Sequence, residues 1–112
     1  MFDKLARPLA LIAACAWMAC GAALAENYPI KPVRMIVPFP PGGATDLLAR
    51  VVGQKLGAAL GQQIVIDNRP GAGGTIGSRL MLDAQPDGYT LLISSVSTHA
   101  IGPHLYAKPP YD

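Results

Sequence analysis

Three short stretches hold most of the residues whose types and spacing suit chemistry. They are Pro38-Phe39-Pro40-Pro41-Gly42-Gly43-Ala44-Thr45-Asp46, Asn68-Arg69-Pro70-Gly71-Ala72-Gly73-Gly74-Thr75 and Ser94-Ser95-Val96-Ser97-Thr98-His99. In the first, prolines and glycines strip a turn of side chains and fix its path just where an amphipathic helix opens. Backbone N–H groups at such a helix start can face something outside the chain, which makes it a candidate anion site. The second stretch is bare in the same way, and the third supplies hydroxyls. The chemistry these residues suit is recognition of a small polar or anionic ligand by N–H and O–H donors. Taken singly, each glycine-rich stretch is also explained as a tight strand-to-helix turn. Two such turns beside a Ser/Thr-rich third favour a site.

Other chemistries fail on spacing. Ser94, Ser95 and Ser97 lack a G-x-S-x-G elbow, and no His/Asp pair can be assigned to activate them. His99 and His104 stand five apart with no carboxylate or cysteine placed to complete a metal site. "GAGGTIG" puts Ile76 where a dinucleotide fingerprint needs its third glycine or alanine, and no G-x-x-x-x-G-K-[ST] loop occurs. The expectation is therefore no catalysis, no cofactor and no metal. Asp46 has two readings: a first-turn acid that favours the helix dipole, or a ligand contact, which suits an anion only if the carboxylate turns away. Arg69 reads either as an attractor of carboxylates or as a salt-bridged surface residue.

The elements that must position these turns follow from periodicity. Tyr28 to Pro32 is an extended lead-in. Val33-Arg34-Met35-Ile36-Val37 reads as a mostly buried strand closed by Pro38. From Thr45 to Leu60 the residues Leu47, Leu48, Val51, Val52, Leu56, Ala59 and Leu60 recur at three and four, the spacing expected of a buried helical face. Gly61 supplies its stop, and Gly53 and Gly57, costly on propensity, suggest close packing on a sheet. Gln63 to Asp67 is a second strand. Ile76, Leu80 and Ala84 mark a second helix, Tyr89 to Ile93 a third strand, and "AIGPHLY" a turn of helix at most, broken by Gly102 and Pro103. Strand, helix, strand, helix, strand at these intervals is a parallel α/β pattern. In a parallel sheet the strand ends share one side, so the three turns are expected at one rim.

Residues 1–25 are expected to be a cleaved secretory signal peptide. Lys4 and Arg7 give the positive region, Pro8 to Gly21 the apolar run, and Ala23-Leu24-Ala25 the small-x-small cleavage pattern. The run is shorter than the roughly 20 apolar residues of a comfortable membrane span. A lipoprotein-like box ends at Cys15, and both cysteines, Cys15 and Cys20, fall in this segment, so cleavage after Ala25 leaves a chain without thiols. The remaining 87 residues carry seven Lys or Arg against six Asp or Glu, a balance with no basic footprint for nucleic acid.

"YPIKPVRMIVPFPPGGATDLLAR", "LGQQIVIDNRPGAGGTIGS", "PDGYTLLISSVSTHAIGPHLY" and "PYD" resemble, in order, the periplasmic solute-binding receptors of tripartite tricarboxylate transporters, the Bug-type proteins. The resemblance implies a periplasmic-binding-protein-like α/β fold, a two-domain Venus flytrap. This chain would supply the parallel β-α-β-α-β portion of its first domain. It implies a periplasmic receptor that captures a small carboxylate solute and presents it to membrane permease subunits. The first ligand loop would fall on Phe39, Pro40, Pro41, Gly42, Gly43, Ala44, Thr45 and Asp46, the second on Arg69 through Gly71, Ala72, Gly73 and Gly74, and the third on Ser94, Ser95, Thr98 and His99. Two domains of ordinary size need about 300 residues, so residues 26–112 are expected to be an incomplete N-terminal solute-binding domain. A sensory or interaction module built on the same half-domain is the alternative reading, and an exported enzyme of unrecognised type is a third.

Overall fold

The computed structural model describes residues 27–108 and Tyr111. The signal-peptide expectation for residues 1–25, with its two cysteines, lies outside the described residues. Three strands, β1 (Val33–Val37), β2 (Ile64–Asn68) and β3 (Thr90–Leu92), form a parallel sheet in the order β2-β1-β3. Helix α1 (Ala44–Leu60) connects β1 to β2; a 3₁₀ turn (Ala72–Gly74) running into α2 (Thr75–Leu82) connects β2 to β3. This is the expected β-α-β-α-β pattern.

β1 is central, and its residues show it. Val33, Ile36 and Val37 have no exposed surface and Met35 has 5%, as a strand covered on both faces requires. The pairing is in register from Val33 opposite Ile64 to Val37 opposite Asn68 on one side, and from Arg34 opposite Thr90 to Ile36 opposite Leu92 on the other. Two further bonds, Arg69 N–H to Val37 O at 2.7 Å and Ile93 N–H to Ile36 O at 3.0 Å, carry the ladder to the carboxyl ends. The chain therefore leaves all three strands at nearly the same level. On the face that α1 covers, Met35, Val37 and Ala49 form the core, with Leu56, Ile64, Ile66, Leu91 and Ile93 packed against it.

The buried face of α1 is not the expected one. Leu47, Leu48, Val51 and Val52 are exposed by 59, 55, 59 and 40%, whereas Asp46, Ala49 and Gly53 are the buried residues of the helix. The reason is the distance between helix and sheet. A Cβ on Gly53 would stand 3.2 Å from Ile66 Cδ1 and 3.4 Å from Ile64 Cγ2, so the helix lies closer to β2 than a leucine-faced helix could. A second apolar stripe is left on the outside. In α2, likewise, Gly77 and Ser78 are buried while Ile76 of the expected stripe is exposed.

Beyond β3, a π-helical turn (Ser97–Ile101) continues into α3 (Gly102–Leu105). Pro103 does not break this segment, because it sits in the first turn of α3, where proline is well tolerated. Among the described residues no helix is long and apolar enough to cross a membrane.

Candidate functional site

The three turns meet. Gly74 is the junction: with φ +95° it occupies backbone space that side chains rarely adopt, and a Cβ there would stand 2.2 Å from Thr98 Cγ2 and 3.6 Å from both Phe39 Cζ and Pro38 Cβ. The second turn is thus pressed against the first and the third at once. Phe39, Gly73, Ser97 and Thr98, together with Thr75, Ile101, Gly102, Leu105, Tyr106 and Tyr111, line a cavity of about 410 Å³. That size lies within the range of small-ligand pockets.

The first turn is as bare in space as it is in sequence. Gly43 is the N-cap of α1, in extended conformation (φ −77°, ψ 170°), and no side chain caps the helix. Gly42 has φ +85° with nothing within 4 Å of the position of a Cβ, so glycine is required there by backbone conformation and not by crowding. Pro41, Gly42, Gly43 and Ala44 are exposed and Thr45 is partly exposed. The uncapped helix start gives this rim a positive end suited to an anion.

Asp46, in contrast, turns inward and is 2% exposed. Its Oδ2 accepts hydrogen bonds from Gly42 N at 2.9 Å and Arg50 Nε at 3.0 Å, and its Oδ1 accepts one from Asn68 Nδ2 at 2.9 Å. The bonds from Arg50, Gly42 and Asn68 lower its pKa from 3.8 to about 2, against the opposing effect of burial. The carboxylate is ionised and fully engaged, with a guanidinium beside it.

Arg69 is also engaged. Its Nε donates to Asp67 Oδ1 at 2.8 Å, and Arg34 Nε donates to Asp67 Oδ2 at 2.7 Å. Burial pushes Asp67 up, but the hydrogen bonds and charges of Arg34 and Arg69 outweigh it and hold the carboxyl below its usual value. In the second turn Gly71, Ala72 and Gly73 all have positive φ, Ala72 at +47°.

The third turn spends its side chains on itself. Thr98, 1% exposed, donates its hydroxyl to Ser95 O at 2.8 Å and accepts from Ser95 N at 3.1 Å, and Ser94 Oγ lies 3.0 Å from the same hydroxyl. Ser95 Oγ and Ser97 Oγ are 2.6 Å apart. Ser94 Oγ is also hydrogen-bonded to His99 Nδ1, and the His99 ring lies 5.5 Å from that of Tyr111. His99 does not line the cavity shared by the three turns. It faces a second one of about 310 Å³ beside β3, together with Ser78, Met81, Leu82, Leu92, Pro103 and Tyr111. Among the described residues no group of three or more His, Cys, Asp or Glu is placed to hold a metal ion.

Three rim residues stood inside the expected stretches with no ligand role of their own assigned: Thr75 and Ser97, which line the shared cavity, and Asn68, which bonds Asp46. Thr75 directly follows the glycines and Ser97 lies within the third stretch, so proximity could have flagged both. Asn68 ends a strand and carries no motif of its own.

Residues 48–112 match the family described as tripartite tricarboxylate transporter family receptor. The chain is 51% identical over 88 residues to Protein BugT of Bordetella pertussis, an alignment that covers 78% of this chain and 27% of that one. It therefore spans about a quarter of that relative's length. Among solved structures, it is similar to R. palustris Rpa4515 with adipate, with TM-score 0.72, 39% identity and coverage of 76% of this chain and 28% of the other. It is also similar to MatC (Rpa3494) from Rhodopseudomonas palustris with bound malate, with TM-score 0.72, 39% identity and coverage of 75% and 29%.

Proposed function

The chain belongs to the tripartite tricarboxylate transporter receptor family, and we propose that it serves in the periplasmic capture of a small carboxylate-bearing solute for the permease subunits of such a transporter. The family is one of receptors and not of enzymes. The observation that carries the reading is the cavity of about 410 Å³ lined by Phe39 of the first turn, Gly73 of the second and Ser97 and Thr98 of the third, together with the start of α1, which follows Phe39 in the chain and which no side chain caps. An uncapped N-terminus offers unsatisfied donors and partial positive charge, the complement of a carboxylate. Asp46, the acid nearest that helix start, is turned inward and paired with Arg50, so it does not oppose an anion there. The adipate and malate held by two similar proteins support a dicarboxylate as the first class to test. Capture in the periplasm agrees with the signal peptide expected over residues 1–25.

Isothermal titration of malate, adipate and citrate into the protein tests this reading, with the fully amidated form of each acid as its neutral control. Saturable heat with at least one acid, and none with its amide, is expected. Silence across all three acids, or equal binding of the amides, would overturn it.

A further inference from the structure

We infer that Asp46 and Asn68 are positioning residues: a latch of a buried carboxylate and a partly buried carboxamide that holds the first turn against the end of β2 without touching the ligand. The inference rests on the proposed carboxylate reading for its purpose, and on four hydrogen bonds for its geometry. Asn68 Nδ2 carries two hydrogens and both are used, one on Asp46 Oδ1 at 2.9 Å and one on Phe39 O at 3.2 Å. The other carboxylate oxygen, Asp46 Oδ2, receives Gly42 N at 2.9 Å and Arg50 Nε at 3.0 Å.

The turn is thereby gripped at both ends, at the Phe39 carbonyl and at the Gly42 amide, from beneath. Between those two points stand only Pro40 and Pro41, whose side chains can form no hydrogen bond. Pro40 and Pro41 restrict the path of the turn, the latch fixes its direction relative to the sheet, and donors preorganised in this way bind at a lower entropic cost. Asn68 lies opposite Val37 in the sheet, and the neighbouring Arg69 N–H bonds Val37 O, so the latch roots the turn in the central strand pair. A carboxamide suits the position for a further reason. It donates to Asp46 without adding charge, and Arg50 balances the carboxylate, so the support beneath the anion site is neutral.

The test compares Asn68→Ala and Asn68→Asp in the full chain with Leu56→Ala, a core change remote from the turns that controls for general destabilisation. Malate affinity and amide hydrogen exchange are both read. Asn68→Ala should weaken malate binding by about tenfold or more and accelerate exchange at the Gly42 amide, while Leu56→Ala does neither below its melting transition. Asn68→Asp sets a second carboxylate against Asp46. Its affinity, taken as a ratio to the unsubstituted protein at the same pH, should be lowest at pH 7.5 and recover toward pH 5, as the pair takes up one shared proton that restores the bond. Malate affinity in Asn68→Ala no weaker than in Leu56→Ala, or a pH-independent ratio for Asn68→Asp, would overturn the latch. If the unsubstituted protein binds no carboxylate, the functional reading fails by itself. The latch then stands or falls on the exchange rate of Gly42 in Asn68→Ala, faster supporting it and unchanged overturning it.

Discussion

The first and third turns occupy the same rim and solve the same problem by opposite means. The first has no polar side chain on its outer surface before Thr45 and is held from within by Asp46 and Asn68, which leaves the main-chain donors of α1 uncapped. The third is crowded with hydroxyls, and those hydroxyls bond one another and the local backbone, with Thr98 at the centre. The contrast teaches that abundant polar side chains are not by themselves a sign of ligand contact. A buried polar group must find partners, and in the third turn buried Thr98 finds them in the backbone and hydroxyls around it, while the turn that looks empty keeps donors in reserve.

The comparison can be broken most forcefully where the turns touch. Gly74→Ala would drive a Cβ to 2.2 Å from Thr98 Cγ2 at a backbone φ of +95°. Strain and overpacking together should cost about 3 kcal/mol or more, measured by chemical denaturation. A loss of less than half of that would mean that the turns are not wedged together.

Acidification attacks the first turn through its support. The folded-state pKa of Asp46 is lowered to about 2 and that of Asp67 is lowered as well. Each contributes stability that is complete above the ordinary carboxylate value of 3.8 and is lost as pH falls through the depressed folded value. Melting temperatures should therefore hold down to about pH 4 and fall steeply from there toward pH 2. In Asp46→Asn, part of that fall should disappear; an unchanged profile would show that Asp46 is not the group responsible.

Thr98→Val tests the third turn alone. It keeps the shape but strips the hydroxyl from Ser95 N–H, at an expected cost of about 1–3 kcal/mol, while hydrogen exchange at Gly42 stays as it was. Faster exchange at Gly42 would show the two turns to be coupled and not independently built.

The smallest effect on stability has the sharpest sign. Gly43 has φ and ψ open to any residue, so Gly43→Ser is unstrained and gives α1 the side-chain cap it lacks. A gain of a few tenths of a kcal/mol is expected, together with weaker malate binding, because the new hydroxyl occupies a donor that the ligand would use. Stabilisation without loss of affinity would remove the start of α1 from the site.

Strand and helix identity was legible from periodicity and turn chemistry, and boundaries differed by a residue or two: α1 begins at Ala44 and β2 ends at Asn68. What misled was the face of α1. Its sequence holds two stripes, one of large apolar residues and one of Asp46, Ala49 and Gly53, and hydrophobic spacing selects the first. The structure selects the second, because Ile64 and Ile66 approach too closely for anything larger. Within the site, the bare turns could be read because glycine and proline act locally. Asn68 could not, since its meaning lies in two partners, Phe39 and Asp46, that are 29 and 22 residues away.

By itself the sequence determined the parallel α/β order and the meeting of three polar turns at one rim. Both follow from local conformational preference together with the rule that parallel strands end on the same side. Only the tertiary structure decided which face of α1 meets the sheet, that Asp46 points inward, and that His99 opens onto a cavity of its own. Those outcomes depend on the gap between packed layers and on bonds between residues distant along the chain. Neither quantity is written in the spacing of residues along one segment.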